Sequence, residues 1–116
     1  MLSVTKECTF DAAHSLPYYE GACHNLHGHR WTVRVTLAGN IDDTTGMIVD
    51  FVDLKKAMKE HIVDKYDHKH LNGVFDNPTA ENMVIVMQND LYSIFGLSLY
   101  RIRLYETPTS YAEWCR

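Results

Sequence analysis

Arg30-Trp31-Thr32-Val33-Arg34-Val35-Thr36-Leu37-Ala38 alternates without a break, with Trp31, Val33, Val35 and Leu37 on one phase and Thr32, Arg34 and Thr36 on the other. Side chains two apart share one side of an extended chain, so the stretch predicts a half-buried β-strand with an apolar and a polar face. Residues 2 to 12 carry β-formers without helical period and predict a partner strand. Between the two lies a loop, roughly 15 to 26, marked by Pro17, Gly21 and Asn25 and long enough to serve more than a simple turn. Downstream of the turn-rich Asp42-Asp43-Thr44-Thr45-Gly46, the residues Phe51, Leu54, Met58 and Ile62 recur at helical intervals with lysines opposite, predicting an amphipathic helix to about Tyr66. Pro78-Thr79-Ala80-Glu81 announces a second helix with Thr79 as its N-cap, running through Met83, Met87, Leu91 and Ile94 to a stop at Gly96. Residues 99 to 106 and 110 to 115 read as two closing strands. The order β-β-α-α-β-β predicts an α+β domain, a four-stranded and mostly antiparallel sheet with both helices on one face. Such a sheet has two edges, and edges with ordinary β-formers invite pairing with another subunit.

With 116 residues, 46% of them apolar, the whole chain 1–116 is expected to form one domain around a modest core. The net charge of −4 and a pI near 5.9 argue against nucleic acid or an anionic membrane as partner, since both need clustered lysine and arginine. No run of about 18 apolar residues and no basic segment followed by an apolar stretch is present, so a cytoplasmic protein is expected. Cys8, Cys23 and Cys115 are odd in number and show no CxxC spacing, which favours free thiols in a reducing compartment.

Three histidines carry the clearest chemical signal. His27 and His29 flank Gly28 in an extended segment and point to one side, and His14 closes the run Phe10-Asp11-Ala12-Ala13-His14. Three neutral imidazoles with a fourth position open is the ligand set of a catalytic Zn2+, whose vacancy admits a water or a substrate oxygen. Ordinary surface histidines are the alternative for a lone His-x-His. Cys23 precedes the pair by four residues and reads as a catalytic thiol, an inert loop cysteine or a fourth ligand. Asp67-His68 follows the first helix as a candidate carboxylate–imidazole pair for proton transfer, although His68-Lys69-His70 can also be read as a second metal pair or as a solvated helix end. On the strand from Leu99, period two puts Glu106 in phase with Tyr100, Ile102 and Leu104, the more apolar side. A carboxylate there suits a planar ligand with two parallel N–H donors; an exposed strand end is the other reading.

Together Phe10 to His14, Cys23 to His29, Gly46 to Phe51, Asp67 to Asn72, Pro78 to Asn82 and Tyr105-Glu106-Thr107 resemble the 6-pyruvoyltetrahydropterin synthase family over nearly the whole chain. The resemblance implies a tunnelling fold (T-fold) whose subunits join their sheets into a barrel, as a homohexamer of two stacked trimers with sites at subunit interfaces. It implies His14, His27 and His29 as zinc ligands, Cys23 as catalytic base, Asp67 and His68 as its relay, and Glu106 as the anchor of the pterin ring. Family members with three residues between the cysteine and His-Gly-His, here His24, Asn25 and Leu26, form 6-carboxytetrahydropterin, whereas five residues mark the pyruvoyl-forming enzymes. The implied substrate is 7,8-dihydroneopterin triphosphate, on the route to the 7-deazaguanine of queuosine. A pyruvoyl-forming enzyme and a non-catalytic, zinc-stabilised oligomer that binds pterins or purines are the alternatives. No motif marks the cations for the triphosphate; Lys6, Arg30, Arg101 and Arg103 are candidates.

Overall fold

A hairpin of unusual regularity organises the protein, which is described over residues 1–116 by a computed structural model. β1 (Ser3–His14) and β2 (His27–Ala38) pair antiparallel along their full length, from Ser3 opposite Ala38 to His14 opposite His27, without a bulge. β4 (Leu99–Thr107) pairs antiparallel with the other side of β2, and β5 (Ser110–Cys115) with β4. A two-residue β3 (Lys69–His70) lies parallel to β1 against Ala12 and Ala13, giving the strand order β3-β1-β2-β4-β5. The expected four-stranded sheet is therefore a five-stranded mixed one. Two exposed residues carry no periodicity, so β3 has no signature that a pattern could reveal.

The expected helices form on one face of this sheet. The first begins as α1 (Phe51–Met58), capped by Asp50 accepting from the Val52 amide, continues through a π-helical stretch Lys59–Val63 and ends in α2 (Asp64–Tyr66). Its buried residues Leu54, Met58, Ile62 and Tyr66 step by four, and each step overshoots a 3.6-residue turn by about 40°. The wider π turn takes up that drift and keeps Tyr66 against the core. Phe51, expected on the buried stripe, is instead half exposed at the first turn. α3 (Ala80–Phe95) starts at Thr79, whose hydroxyl accepts from the Asn82 amide, and stops at Gly96, where φ is +56°. Met83, Met87 and Leu91 are wholly buried as expected, but Ile94 is exposed, because the stripe continues to the partly buried Phe95.

One core results, built from Phe10 and Ala12 of β1, the Trp31–Leu37 alternation of β2, Leu99, Ile102 and Leu104 of β4, and the inner faces of the helices. Tyr100 departs from its expected phase: the β2–β4 register slips at Thr36/Leu37, so Leu99 and Ile102 both face inward. The other face of the sheet is polar. Arg34 pairs with Glu7 at 2.8 Å and lies over the Tyr105 ring, and Arg103 pairs with Glu113 at 2.6 Å and lies over Tyr111. Such half-solvated pairs add little stability, and their role is to keep this face wet. No helix is long and apolar enough to cross a membrane.

Candidate metal centre

The β1–β2 ladder brings the three histidines together. His14 stands opposite His27 on the last rung and Ala12 opposite His29, so all three imidazoles project from the helix-side face at one end of the hairpin. Their ring centroids lie 4.6 Å (His14–His27), 4.8 Å (His27–His29) and 5.2 Å (His14–His29) apart. Trp31, edge-on to His14 and His29 and donating from Nε1 to the Ala12 carbonyl, forms their apolar floor.

Tautomers follow from the backbone. His14 Nδ1 lies 2.8 Å from the Pro78 carbonyl and His27 Nδ1 2.8 Å from the Asn25 carbonyl. A carbonyl only accepts, so each Nδ1 carries the proton and each Nε2 presents a lone pair. Burial lowers the pKa of His14 and of His29, which keeps both neutral and ready to ligate. Glu106 completes the group: its Oε1 is 3.0 Å from His29 Nε2 and 3.7 Å from His14 Nε2, and the ligand atoms of His14, His27, His29 and Glu106 all lie within 4.8 Å of one another. His14 Nε2 and His29 Nε2 are buried and make no hydrogen bond, a state that costs about 1–3 kcal/mol per group unless something satisfies it. A proton on His29 Nε2 directed at Glu106 would satisfy that ring alone, whereas a cation between the rings and the carboxylate satisfies both nitrogens at once. The donor set of imidazole nitrogens with one carboxylate oxygen fits Zn2+.

Glu106 reaches this place through a second register slip. Tyr105 faces Tyr111 and Thr107 faces Ser110, leaving Glu106 with no partner on β5. A bulge re-aims the side chain it frees. Glu106, Ala80 and Glu81 line two neighbouring cavities, one of about 320 Å³ under Leu16, Tyr18 and Tyr19, the other of about 270 Å³ beside Ser110 and Tyr111.

Cys23 sits in a 3₁₀ turn, Ala22–His24, half-buried, and lies outside the four-residue group. Its carbonyl accepts from the Leu16 amide at 2.9 Å, closing the neck of the loop. Asp67 and His68, although adjacent, do meet: Asp67 Oδ2 is 2.9 Å from His68 Nδ1. His68 has φ +59°, the one non-glycine residue in the left-handed region, a conformation that costs about 1–3 kcal/mol and marks sites held by their surroundings. The Asp11 amide donating to Asp67 Oδ1, followed by His68, holds the Asp67 carboxyl below the usual carboxylate range. His68 and His70 join no metal-capable group. One cleft of about 500 Å³ brings His29 and His68 to a common opening beside Arg30 and Lys69; Cys23 does not line it. Of the four candidate cations, Arg30 is paired with Asp11 and both Arg101 and Arg103 with Glu113, which leaves Lys6 without an ion pair.

The carbonyls of Pro78 and Asn25 carry no sequence signal for their part in orienting His14 and His27. Nor does Glu106 signal its closeness to the histidines, because β2 and β4 are neighbours in the sheet but far apart in the chain. Pro78 had one indirect mark, its place just before a helix N-cap that must pack near the sheet.

A one-sided mixed sheet backed by two helices, with a three-histidine, one-carboxylate group at the mouth of its central hairpin, defines a T-fold protein with a candidate metal centre. The family model described as 6-pyruvoyl tetrahydropterin synthase matches residues 3–116, and the chain belongs to that family. A 6-carboxy-5,6,7,8-tetrahydropterin synthase of Haemophilus influenzae is 34% identical over 98% of this chain and 99% of its own length. The human 6-pyruvoyl tetrahydrobiopterin synthase is 37% identical over 78% of this chain and 68% of its own. Among solved structures, the Caenorhabditis elegans 6-pyruvoyl tetrahydropterin synthase superposes with a TM-score of 0.88 at 29% identity, covering 99% of this chain and 95% of that one.

Proposed function

We propose that this protein is a zinc-dependent carbon–carbon lyase that converts 7,8-dihydroneopterin triphosphate and water into 6-carboxy-5,6,7,8-tetrahydropterin, acetaldehyde and triphosphate, on the route to queuosine. The observation that carries this reading is the group of three imidazoles, two of them oriented by backbone carbonyls, beside a carboxylate that opens on two cavities. Its particular form is supported by the Haemophilus relative, matched nearly end to end, and by the three residues between Cys23 and His27.

His14, His27 and His29 would hold the zinc, which supplies Lewis acidity toward the side-chain hydroxyls of the substrate. Glu106 would accept two N–H groups from the amino-pyrimidine edge, fixing the ring while the side chain reacts. Cys23 would take a proton from the side chain, and His68, oriented by Asp67, would return one. The edge of β5, and the length of β1 that β3 leaves uncovered, suit closure onto neighbouring copies, in the homohexamer that this reading includes.

Glu106 has two possible partners, the pterin and the metal, and one variant separates them. Glu106→Gln keeps the shape but loses the charge and one acceptor, so pterin affinity in a direct titration should fall by about 2 kcal/mol or more. Zinc content by atomic absorption should be unchanged. Zinc lost together with pterin binding would make Glu106 the fourth ligand, and unchanged affinity would remove it from ring recognition.

The product decides between the two enzyme readings, the second of which is favoured by the names of the human and nematode relatives. Anaerobic incubation with dihydroneopterin triphosphate should yield the carboxylated pterin and acetaldehyde by mass spectrometry. A pyruvoyl product with the three-carbon side chain intact and no acetaldehyde would establish the other enzyme. Binding without turnover would leave a pterin-binding oligomer.

A further inference from the structure

Segment 67–72 is zipped to the outer edge of β1 by more than the two rungs of β3. At its start, the Asp11 amide donates to Asp67 Oδ1 and the His68 amide donates to the Asp11 carbonyl. Ala12 and Ala13 then pair with Lys69 and His70. At its end the backbone of the segment turns away into the 3₁₀ turn Leu71–Gly73, and a side chain replaces it: the Ser15 amide donates to Asn72 Oδ1 at 2.8 Å, and Asn72 Nδ2 donates to the Ser15 carbonyl at 2.9 Å. The sequence offset is the same for Asp11 with His68, Ala12 with Lys69, Ala13 with His70 and Ser15 with Asn72. The Asn72 amide thus carries the attachment of the segment one step beyond the backbone rungs, taking both backbone groups of Ser15. A carboxamide offers, on two separate atoms, the donor and the acceptor that the two backbone groups of one residue require. Leu71, wholly buried, anchors it from the preceding position.

Ser15 lies between two functional elements. It follows His14, and its neighbour Leu16 bonds the Cys23 carbonyl at the neck of the loop. We infer that Asn72 is a positioning residue: by holding both backbone groups of Ser15 it sets where the Cys23 loop leaves the sheet, and one short segment thereby registers Asp67–His68 and that loop against the same strand. The inference rests on the proposed role of Cys23, since a loop held in place matters to turnover only if the thiol reacts. A displacement of about 1 Å can cost a proton transfer as much as 10²-fold, so a register device of this kind has a measurable effect.

The test uses the full chain with its metal and reads the loop without substrate. In Asn72→Ala, alkylation of Cys23 by iodoacetamide, followed by peptide mass mapping, should accelerate about tenfold or more as the neck opens, with the exposed Cys115 as internal reference. Zinc content should stay constant, kcat should fall about tenfold or more, and KM should change little. Asn72→Asp retains the acceptor for the Ser15 amide but sets a carboxylate oxygen against its carbonyl, so it too should accelerate alkylation; it decides the matter if the alanine variant does not fold. Unchanged Cys23 alkylation in both variants would overturn the positioning by Asn72. Faster alkylation with intact turnover would overturn the role of Cys23 on which the inference rests.

Discussion

Replacing His27 with alanine should empty the metal centre and abolish turnover while leaving the fold in place. The ring of His27 lies 4.6 and 4.8 Å from its two neighbours, so its removal takes one imidazole from the three proposed to hold the zinc and leaves only two beside Glu106. Loss of an outer-shell partner alone typically weakens metal binding 10–100-fold, and a direct ligand should cost at least about 10²-fold. Stability should change little, because His27 is only partly buried at the open end of the hairpin and stands outside the core. Atomic absorption on the purified variant, with thermal unfolding followed by circular dichroism, gives both readouts. Full zinc occupancy in His27→Ala would reject the centre. His70→Ala serves as the comparison and should keep its zinc, since His70 joins no metal-capable group.

Cys23→Ala should show the opposite separation: zinc and pterin binding kept, turnover reduced by about 10²–10⁴-fold. The thiol lies outside the histidine–glutamate group, so its loss removes no ligand. It is carried on a loop closed at Leu16–Cys23 and fixed at Ser15, so the smaller side chain should not move the imidazoles. Single-turnover measurements should place the loss in kcat. Combining Cys23→Ala with His68→Ala should cost much less than the product of the single losses if both act on one proton path. A variant with near-normal turnover would remove Cys23 from the chemistry.

The alternation in residues 30–38 was enough to fix β2 and its inward face, because period two survives wherever one side of a strand is buried. The same rule carried His27 and His29 to one side and Glu106 to the inner side of β4. It failed at Tyr100, where an added residue in β4 resets the phase, and a bulge leaves no mark in an apolar pattern. Phe51 and Ile94 fell off their stripes at helix ends, where a turn no longer lies against the sheet. Neighbour relations between strands distant in sequence were beyond reach: that β4 lies beside β2, and so puts a carboxylate against the histidines, depends on packing of the whole chain. The contact of Asp67 with His68 was hidden for a local reason, since it depends on a left-handed backbone at His68 that histidine seldom adopts.

The unbroken ladder of β1 and β2 separates a fixed part of the hairpin from an adjustable one. Its last rung joins His14 to His27, so everything between them hangs outside the paired frame as a closed loop. Residues can be added to or removed from that loop at a small entropic cost, on the order of 0.6 kcal/mol per doubling of its length, while the three imidazoles stay where the rungs hold them. The thiol rides on the adjustable part and the three imidazoles on the fixed part. A change in the length of that one segment therefore moves Cys23 while leaving the cluster of imidazoles and its geometry intact.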